Sequence, residues 1–476
     1  MAHVIPTYKP GKAEHDISTG VIRSIFQELL TLHFDEFLQG TLGSLHNISR
    51  GAVLMSIFAG LLGILWTQIP ELPLFAFAWI VGTMPIWVPA TAVGGAWKAW
   101  VWYNRSRFIA TRKPVLLEVK MPRELVRSPR AMEVALAHLW ASQGTTTYFH
   151  RIWLGQCYPF FSLEMASFGG EVHFYVWTWE IQRRVVEATL YAQYPEIELV
   201  ETEDYAAKFK YDRKKHAGYC TEWRYEPRND AYPIKTYVDF ELEKDPKEEY
   251  KIDPLAQVLE YIGSIKSDEQ IWIQIIISYC ADKRRKPGGR WFETESRYEG
   301  IMKDETIKIR KEGVGETEGE ENQWKRYVRI QYYKQTEQIR SIERNMSKHP
   351  FKVGMRGVYM STVKGWNPST YYPMRWIWRP FGNVQWMNQL RPRRWHNPFD
   401  YPYQDWRDMR WDLHTERALD AYQRRAFFHA PYLHPHNMMS TEVIATLWHP
   451  PSSGIKTPGL ERTPAKKAQP PPNLPK

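Results

Sequence analysis

The sequence predicts an α+β protein: an N-terminal hairpin of two transmembrane helices, then a cytoplasmic ferredoxin-like (βαββαβ) domain, then an extended proline-rich C-terminal tail. Three observations predict this fold class. Residues 51–69 and 72–97 are long runs that each lack charged residues. From Pro114 onward, strand and helix patterns alternate. Between Pro450 and Pro475 the chain carries eight prolines, whose missing backbone N–H groups exclude a regular helix or strand there.

The two uncharged runs predict the transmembrane hairpin, placed at residues 50–105. About 20 apolar residues in a helix span the ~30 Å hydrocarbon core of a bilayer, and each run is near that length. The positive-inside rule orients the hairpin, because five Lys and Arg residues follow the second run while the intervening loop carries only Glu71. Both termini are therefore expected in the cytoplasm, with residues 1–49 as a cytoplasmic amphipathic segment. A helical hairpin buried in a soluble core is the alternative.

Composition restricts the partners and the chemistry. The chain has 63 Lys and Arg against 53 Asp and Glu, a formal net charge of +10, which favours anionic lipid or nucleic-acid partners without selecting between them. Its three cysteines are widely spaced, so neither a disulfide framework nor a zinc site is expected. The sequence lacks the phosphate-binding loop, the nucleophile elbow and the zinc-protease motif. We therefore expect a non-enzymatic protein with no catalytic residues, no cofactor and no bound metal.

Residues 114–205 predict one ferredoxin-like domain. Strands are expected at 115–121, 159–168, 170–178 and 197–202, with helices at 128–143 and 178–194. In the third strand, Val172, Phe174 and Val176 are expected on one face of the sheet and the residues between them on the other. The order β-α-β-β-α-β is the split βαβ arrangement. This fold hosts many functions, so it selects none.

Residues 230–362 predict a second α/β domain, and an internal duplication of the first domain is an open alternative. Strands are expected at 234–242, 269–280 and 351–362, with helices at 253–265 and 323–348. A charged, glycine-interrupted insertion at about 281–322 divides this region. It is expected to form a mobile loop or the edge of a helix.

Arginine and tryptophan are interleaved in residues 363–430, which are expected to form a Trp/Arg-rich segment and a helix. Such interleaving suits stacking on bases and contact with phosphates, and a run of cations near residue 284 suits phosphates as well. The candidate nucleic-acid-binding residues are Lys283, Arg284, Arg285, Arg391, Arg393, Arg394 and Trp395. The alternatives are a loop that covers the α/β domain, an interface between subunits, and a solvated charged loop.

The C-terminal stretch 440–475, STEVIATLWHPPSSGIKTPGLERTPAKKAQPPPNLP, carries a family resemblance. Together with the central block 159–205, it resembles two-span membrane proteins related to the non-ATPase N-terminal part of TraG/TraD-like type IV secretion and conjugation coupling proteins, as found in candidate-phyla bacteria. The matching tail positions are Glu442, Ala445, Leu447, His449, Pro450, Thr457, Pro458, Glu461, Arg462, Lys466, Lys467, Pro472, Asn473, Leu474 and Pro475. The chain departs from the fused members of the family by stopping where their ATPase domain would begin.

The resemblance implies a membrane-anchored, non-enzymatic platform in a type IV secretion or conjugation-like machine that translocates DNA or protein. A separate HerA/FtsK-like ATPase would be recruited by the cytoplasmic domain and by a partner-docking tail at 431–476. The platform would be a homo-oligomer at the bacterial plasma membrane, with DNA as a candidate partner. The residues expected to bind the ATPase are Glu442, Val443, Leu447, Trp448, His449, Pro450, Pro458, Glu461, Arg462, Asn473 and Leu474. The alternatives are a tail helix packed on its own domain, a stand-alone membrane-tethered nucleic-acid-binding protein, and an enzyme acting at the membrane.

Overall fold

The computed structural model of the protein describes most of the chain from residue 71 onward. The described ranges are 71–140, 147–227, 229–243, 252–280, 282–312, 333–383, 385–396, 408–429, 431–455, 459–460 and 462–463, with single residues at 60, 63, 405 and 457. Two compact units are present, Met1–Val93 and Gly94–Lys476. The predicted segment 1–49 and nearly all of the first predicted span, 51–69, lie outside the described residues.

The described helices and strands alternate along the chain. The helices are α1 (Glu71–Ala110), α2 (Pro129–Leu139), α3 (Tyr148–Ile152), α4 (Glu180–Gln193), α5 (Tyr205–Lys208), α6 (Leu255–Gly263), α7 (Arg297–Glu312), α8 (Tyr333–Met346), α9 (Pro368–Met374), α10 (Met409–Gln423) and α11 (Thr441–Leu447). The strands are β1 (Pro114–Pro122), β2 (Phe160–Phe168), β3 (Glu171–Trp179), β4 (Glu198–Thr202), β5 (His216–Glu226), β6 (Glu269–Tyr279), β7 (Lys283–Arg285), β8 (Thr294–Ser296), β9 (Pro350–Thr362), β10 (Gln389–Trp395), β11 (Asn437–Ser440) and β12 (Arg462–Thr463).

The prediction of a transmembrane hairpin at 50–105 is wrong, and with it the prediction of a two-span protein in the plasma membrane. In the described part of the chain, no helix combines the length and the apolar character needed to cross a membrane. The second predicted span lies instead within α1, which continues through Lys98, Arg105 and Arg107 to Ala110. An uncharged run locates apolar residues, but it does not determine where a helix begins or ends.

The last turns of α1 belong to the second unit and pack there. The Asn104 side chain is buried, and its amide donates to the carbonyl oxygen of Ile152 at 3.3 Å. Gly155 has a φ of +66°, and a Cβ at this position would lie 2.3 Å from the Asn104 backbone. A glycine is therefore required where the chain after α3 crosses α1.

Nine of the described strands form one antiparallel sheet in the order β10-β5-β9-β6-β2-β3-β1-β4, with β11 pairing the part of β9 that β5 leaves open. β12 adds a two-residue parallel pairing to β1. The portion β4-β1-β3-β2 has the strand order of a split βαβ unit. Because β2 pairs with β6 along its whole length, this unit and the second predicted α/β region share one sheet rather than forming two.

Both faces of the sheet are covered, because apolar side chains of its strands point alternately to one face and to the other. Val172, Phe174 and Val176 of β3 lie in the core that includes α2, α4, α6 and α11. Tyr175 and Trp177 face the opposite side, in a core that includes α10. The side-chain period of two along a strand produces this division, which is the alternation expected for β3.

Secondary structure differs from prediction in the second half of the chain. The expected strand 234–242 is a series of turns, because the Asp239 carboxylate accepts from the Thr236 backbone N–H at 2.9 Å and favours a turn over a sheet ladder. Its place in the sheet is taken by β5, which the sequence analysis missed. The expected mobile insertion contains β7, β8 and α7.

The prediction of an extended C-terminal tail is wrong where the tail is described. Every residue of α11 is buried, and the Trp448 side chain is 0% exposed. Its indole N–H donates to the carbonyl oxygen of Glu164 on β2 at 3.3 Å. Further along, the Ser453 backbone N–H donates to the Leu125 carbonyl at 2.8 Å. The described residues of the tail up to β12 are thus packed on the domain, while residues 456, 458, 461 and 464–476 lie outside the described residues.

Candidate nucleic-acid interface

The charged insertion begins with a β-hairpin, β7 and β8, that leads directly into α7. Lys283 to Arg285 pair antiparallel with Ser296 to Thr294. The turn is closed by a hydrogen bond from the Lys286 backbone N–H to the Glu293 carbonyl at 3.0 Å. Gly288 has a φ of +74°, a conformation that other residues adopt only with strain. The loop 286–293 therefore connects the strands as an ordered turn.

Arg284 anchors the hairpin to α7. Its Nε donates to Glu295 Oε1 across the strands at 2.7 Å, and its Nη2 donates to Asp304 Oδ1 on α7 at 3.0 Å. These carboxylates raise the pKa of the Arg284 guanidinium, with the hydrogen bond to Asp304 as the largest cause. Gly300 makes room for this contact, because a Cβ there would lie 2.0 Å from Arg284 Nε. Of the three predicted cations, Arg284 is therefore occupied by protein contacts.

Lys283 and Arg285 lie on the other face of β7, because successive side chains in a strand point to opposite sides. Both are exposed. The Arg285 guanidinium carbon lies 5.1 Å from the ring centre of Trp291 in the turn. Trp291 is 81% exposed and Phe292 is 96% exposed. Basic and aromatic groups are therefore presented together at this end of the hairpin.

The charges on this hairpin are unequally neutralised. Lys286 Nζ lies 2.6 Å from Glu293 Oε1, so this cation is paired. Among the described residues, Lys283, Arg285 and Arg290 have no carboxylate within ion-pair distance. An anionic ligand would therefore meet no competing carboxylate at these three cations among the residues that the structure describes.

A cleft of about 400 Å³ adjoins the same hairpin. Lys283, Thr294 and Ser296 contribute from the hairpin, and Trp140, Tyr279 and His349 contribute rings from elsewhere in the domain. The His349 ring stacks on Trp140 with 4.4 Å between ring centres and 21° between planes. Sequence reasoning missed the cleft, because Trp140, Tyr279 and His349 are far apart in the chain.

The second group of predicted cations lies on β10, an edge strand of the sheet. Arg391 Nε lies 3.9 Å from Glu226 Oε2, and Arg393 also pairs with Glu226. Arg394 pairs with Glu222 of β5 just after a shift in strand register between Pro392 and Arg394. The Arg394 side chain is not among the described parts of the structure. β10 pairs with β5 in the large sheet, whereas β7 and β8 pair with each other in a separate two-stranded sheet.

Trp395 belongs to a buried polar cluster instead of an open surface. Its indole N–H donates to Glu222 Oε1 at 3.0 Å. The same carboxylate lies 2.6 Å from His434 Nδ1 and 3.5 Å from Arg356 Nη2. Burial opposes ionisation of Glu222, but His434 and Arg356 hold its pKa below the usual value.

The predicted ATPase-binding residues of the tail are mostly internal. Glu442, Val443, Leu447, Trp448, His449 and Pro450 are all buried. Glu442 accepts from Thr236 Oγ1 at 2.6 Å, and burial raises its pKa. His449 Nε2 lies 2.9 Å from Asp253 Oδ2, and Arg462 Nη2 donates to the Ser452 carbonyl at 2.8 Å. Pro458, Glu461, Asn473 and Leu474 lie outside the described residues.

A second buried ionic cluster joins distant parts of the chain. Arg425, which is 1% exposed, donates from Nε to Glu164 Oε1 at 3.0 Å and from Nη2 to Asp204 Oδ1 at 3.0 Å. Glu164 also accepts from Tyr205 Oη at 2.7 Å. Burial opposes the charged guanidinium, yet the two carboxylates raise its pKa. Within the described residues, no group of three or more His, Cys, Asp and Glu is arranged to hold a metal ion.

Comparison of the chain with protein-family models, with curated proteins and with solved structures finds no match. The resemblance to TraG/TraD-like coupling proteins therefore stays a prediction.

Proposed function

We propose that this chain is a non-enzymatic nucleic-acid-binding subunit of a DNA-translocating machine, and that the β7–β8 hairpin contacts the nucleic acid. The observation that carries the proposal is that one ordered hairpin combines exposed aromatic rings with cations that pair with no carboxylate in the described part of the chain. Lys283 and Arg285 share one face of β7, and Trp291 and Phe292 lie in the adjoining turn.

This combination suits nucleic acid because a strand offers two kinds of group. Its phosphates attract lysine and arginine and release counterions when bound, which makes the affinity depend on salt. Its bases have π faces that stack on aromatic side chains with little dependence on sequence. The acidic residues of a peptide would pair with the cations, but they offer no planar π face that could stack on Trp291 and Phe292.

The hairpin is held in place by contacts that leave these groups free. Arg284 pairs with Glu295 and Asp304 on the face of the hairpin that meets α7. Lys283 and Arg285 lie on the opposite face of β7 and pair with no carboxylate among the described residues, so this face carries positive charge. A rigid element with a positive outer face loses little conformational entropy when a ligand binds.

A separate translocation-type ATPase, as the family resemblance implies, would supply the motor, and a homo-oligomer of this chain would form the platform. Recruitment through Glu442 to Pro450 would require the core to open, because these residues are buried. We therefore propose that the ATPase binds the outer surface of the domain and the tail residues Pro458, Glu461, Asn473 and Leu474.

The proposal is tested by titrating the full chain into a fluorescein-labelled 20-nucleotide DNA and measuring anisotropy at several salt concentrations. The variant K283A/R285A is compared with K208A/K215A, which removes two exposed lysines elsewhere in the domain. We expect K283A/R285A to lower the salt slope by about 1.4–1.8, the sum for two lost phosphate contacts, and K208A/K215A to leave it unchanged. Equal slopes in both variants, or no salt-dependent binding by the unmodified chain, would overturn the proposal.

A further inference from the structure

The cleft beside the hairpin is bounded by two different kinds of wall. On one side lie Lys283, Thr294 and Ser296, which share the outer face of the hairpin with Arg285. On the other side lie the rings of Trp140, Tyr279 and His349. A ligand in the cleft would therefore meet aromatic surface on one side and a cation and hydroxyl groups on the other.

The aromatic wall is held rigidly. The Trp140 indole N–H donates to the Pro350 carbonyl at 2.7 Å, and its ring centre lies 4.7 Å from that of Tyr279. His349 stacks on the same indole and is itself exposed. The exposed imidazole thus covers the Trp140 indole, and a further planar group can stack on the imidazole.

The carboxylates of the cleft are neutralised from outside it. Asp282 bonds Lys352 at 2.6 Å, Glu295 bonds Arg284 at 2.7 Å, and Glu299 bonds Lys303 at 3.2 Å. The paired carboxylates therefore repel neither an uncharged planar group in the cleft nor the phosphate attached to it. That phosphate would lie near Lys283 and Arg285.

We infer that this cleft holds one unstacked base of a single-stranded nucleic acid, stacked on His349, while the flanking phosphates follow the outer face of β7. The inference rests on the proposed function and adds the form of the nucleic acid. A base that is paired within a duplex cannot enter the cleft. The protein is then selective for single strands, although its cations attract both forms.

The test uses the full chain and three labelled probes of equal length. These are a 20-nucleotide deoxythymidine strand, a 20-nucleotide strand of abasic sites with the same phosphates, and a 20-base-pair duplex. Each stacked base is worth about tenfold in affinity, and a strand can stack one base on Trp291 and one in the cleft, so we expect the thymidine strand to bind about a hundredfold more tightly than the abasic strand. H349A should lower this ratio about tenfold, to the value that stacking on the hairpin alone provides, while the control H414A, a histidine on α10, should leave it unchanged.

The ratio separates the two proposals. If the abasic strand binds as tightly as the thymidine strand, or if H349A leaves the ratio unchanged, the base site is refuted while salt-dependent binding still supports the hairpin. If the duplex binds as tightly as the thymidine strand, single-strand selectivity is refuted in the same way. If no probe binds, both the base site and the proposed function fail.

Discussion

The guanidinium of Arg285 lies 5.1 Å from the ring centre of Trp291, a cation–π contact made on the outer side of a hairpin that Arg284 anchors from its inner side. Neighbouring arginines in one short strand thus have different tasks. Arg284 fixes the hairpin on α7. Arg285 orients an exposed indole and keeps its own charge available. A base stacked on Trp291 would bring its phosphate close to this cation.

Trp291→Ala should weaken nucleic-acid binding without changing the fold. The indole is exposed, so its removal costs the core nothing, but it removes a stacking surface worth roughly 1–3 kcal/mol per base. We expect the dissociation constant for a 20-nucleotide strand to rise about tenfold at constant salt, measured by anisotropy. Unchanged affinity in this variant would show that the Trp291 indole does not contact the nucleic acid.

Gly300→Ala should loosen the hairpin. The new Cβ would lie 2.0 Å from the present position of Arg284 Nε, so Arg284 must move away from Asp304 or Glu295. Alanine also favours the helix by about 0.5–1 kcal/mol over glycine, so total stability is a poor measure here. The rate of limited trypsin cleavage after Arg285 and Arg290 is a more sensitive measure of how firmly the hairpin is held. We expect this rate to increase several-fold.

Lys303→Ala is the matched control for this experiment, because Lys303 lies on the same helix and is exposed. It should leave the cleavage rate unchanged. Equal rates in both variants would show that Arg284 does not hold the hairpin in place.

Glu222→Gln should destabilise the protein in a pH-dependent way. The pKa of Glu222 is lowered in the folded protein, so its ionised form contributes stability above the unfolded-state pKa and loses it as pH falls through the folded-state pKa. Removing the charge leaves Arg356 buried without its carboxylate, which costs about 3–5 kcal/mol. We expect this loss at pH 7 and a shrinking difference below the ordinary glutamate pKa of about 4.3.

Urea unfolding of the wild-type chain and the Glu222→Gln variant at several pH values measures this difference. A constant gap between pH 7 and pH 3 would contradict the ionic role of Glu222.

Trp448→Ala should destabilise the domain strongly, whereas Trp291→Ala should not. The Trp448 ring is fully buried and bonds β2, and large-to-alanine changes of this kind cost about 3–5 kcal/mol. Both variants lose the same side chain, so the comparison isolates burial. Similar urea midpoints for the two variants would mean that α11 is not part of the core.

Prediction from sequence succeeded where a pattern was local. The turn at Gly169 and Gly170, both with positive φ, separates β2 from β3 close to the expected boundaries. Here each strand is specified by its own alternation and by the glycines between them. The predicted strand at 234–242 failed because a side-chain hydrogen bond within three residues favoured a turn.

Prediction failed where partners are far apart in the chain. Glu164 and Arg425 form a buried pair across a separation of 261 residues, and no periodicity marks either of them. Trp448 looked like an exposed anchor because the strand that covers it lies 284 residues earlier. The run of cations in β7 is visible in the sequence. The sequence does not show that Arg284 alone of the three pairs with Asp304, which lies 20 residues further along the chain.

Photocrosslinking shows directly whether the β7–β8 hairpin contacts nucleic acid. A 20-nucleotide strand carrying 4-thiothymidine is irradiated with the full chain, and crosslinked tryptic peptides are identified by mass spectrometry. We expect crosslinks in the peptide of residues 291–297, which contains Trp291 and Phe292, and we expect them to be lost in K283A/R285A. Crosslinks confined to other parts of the chain, such as the β10 edge strand, would contradict it.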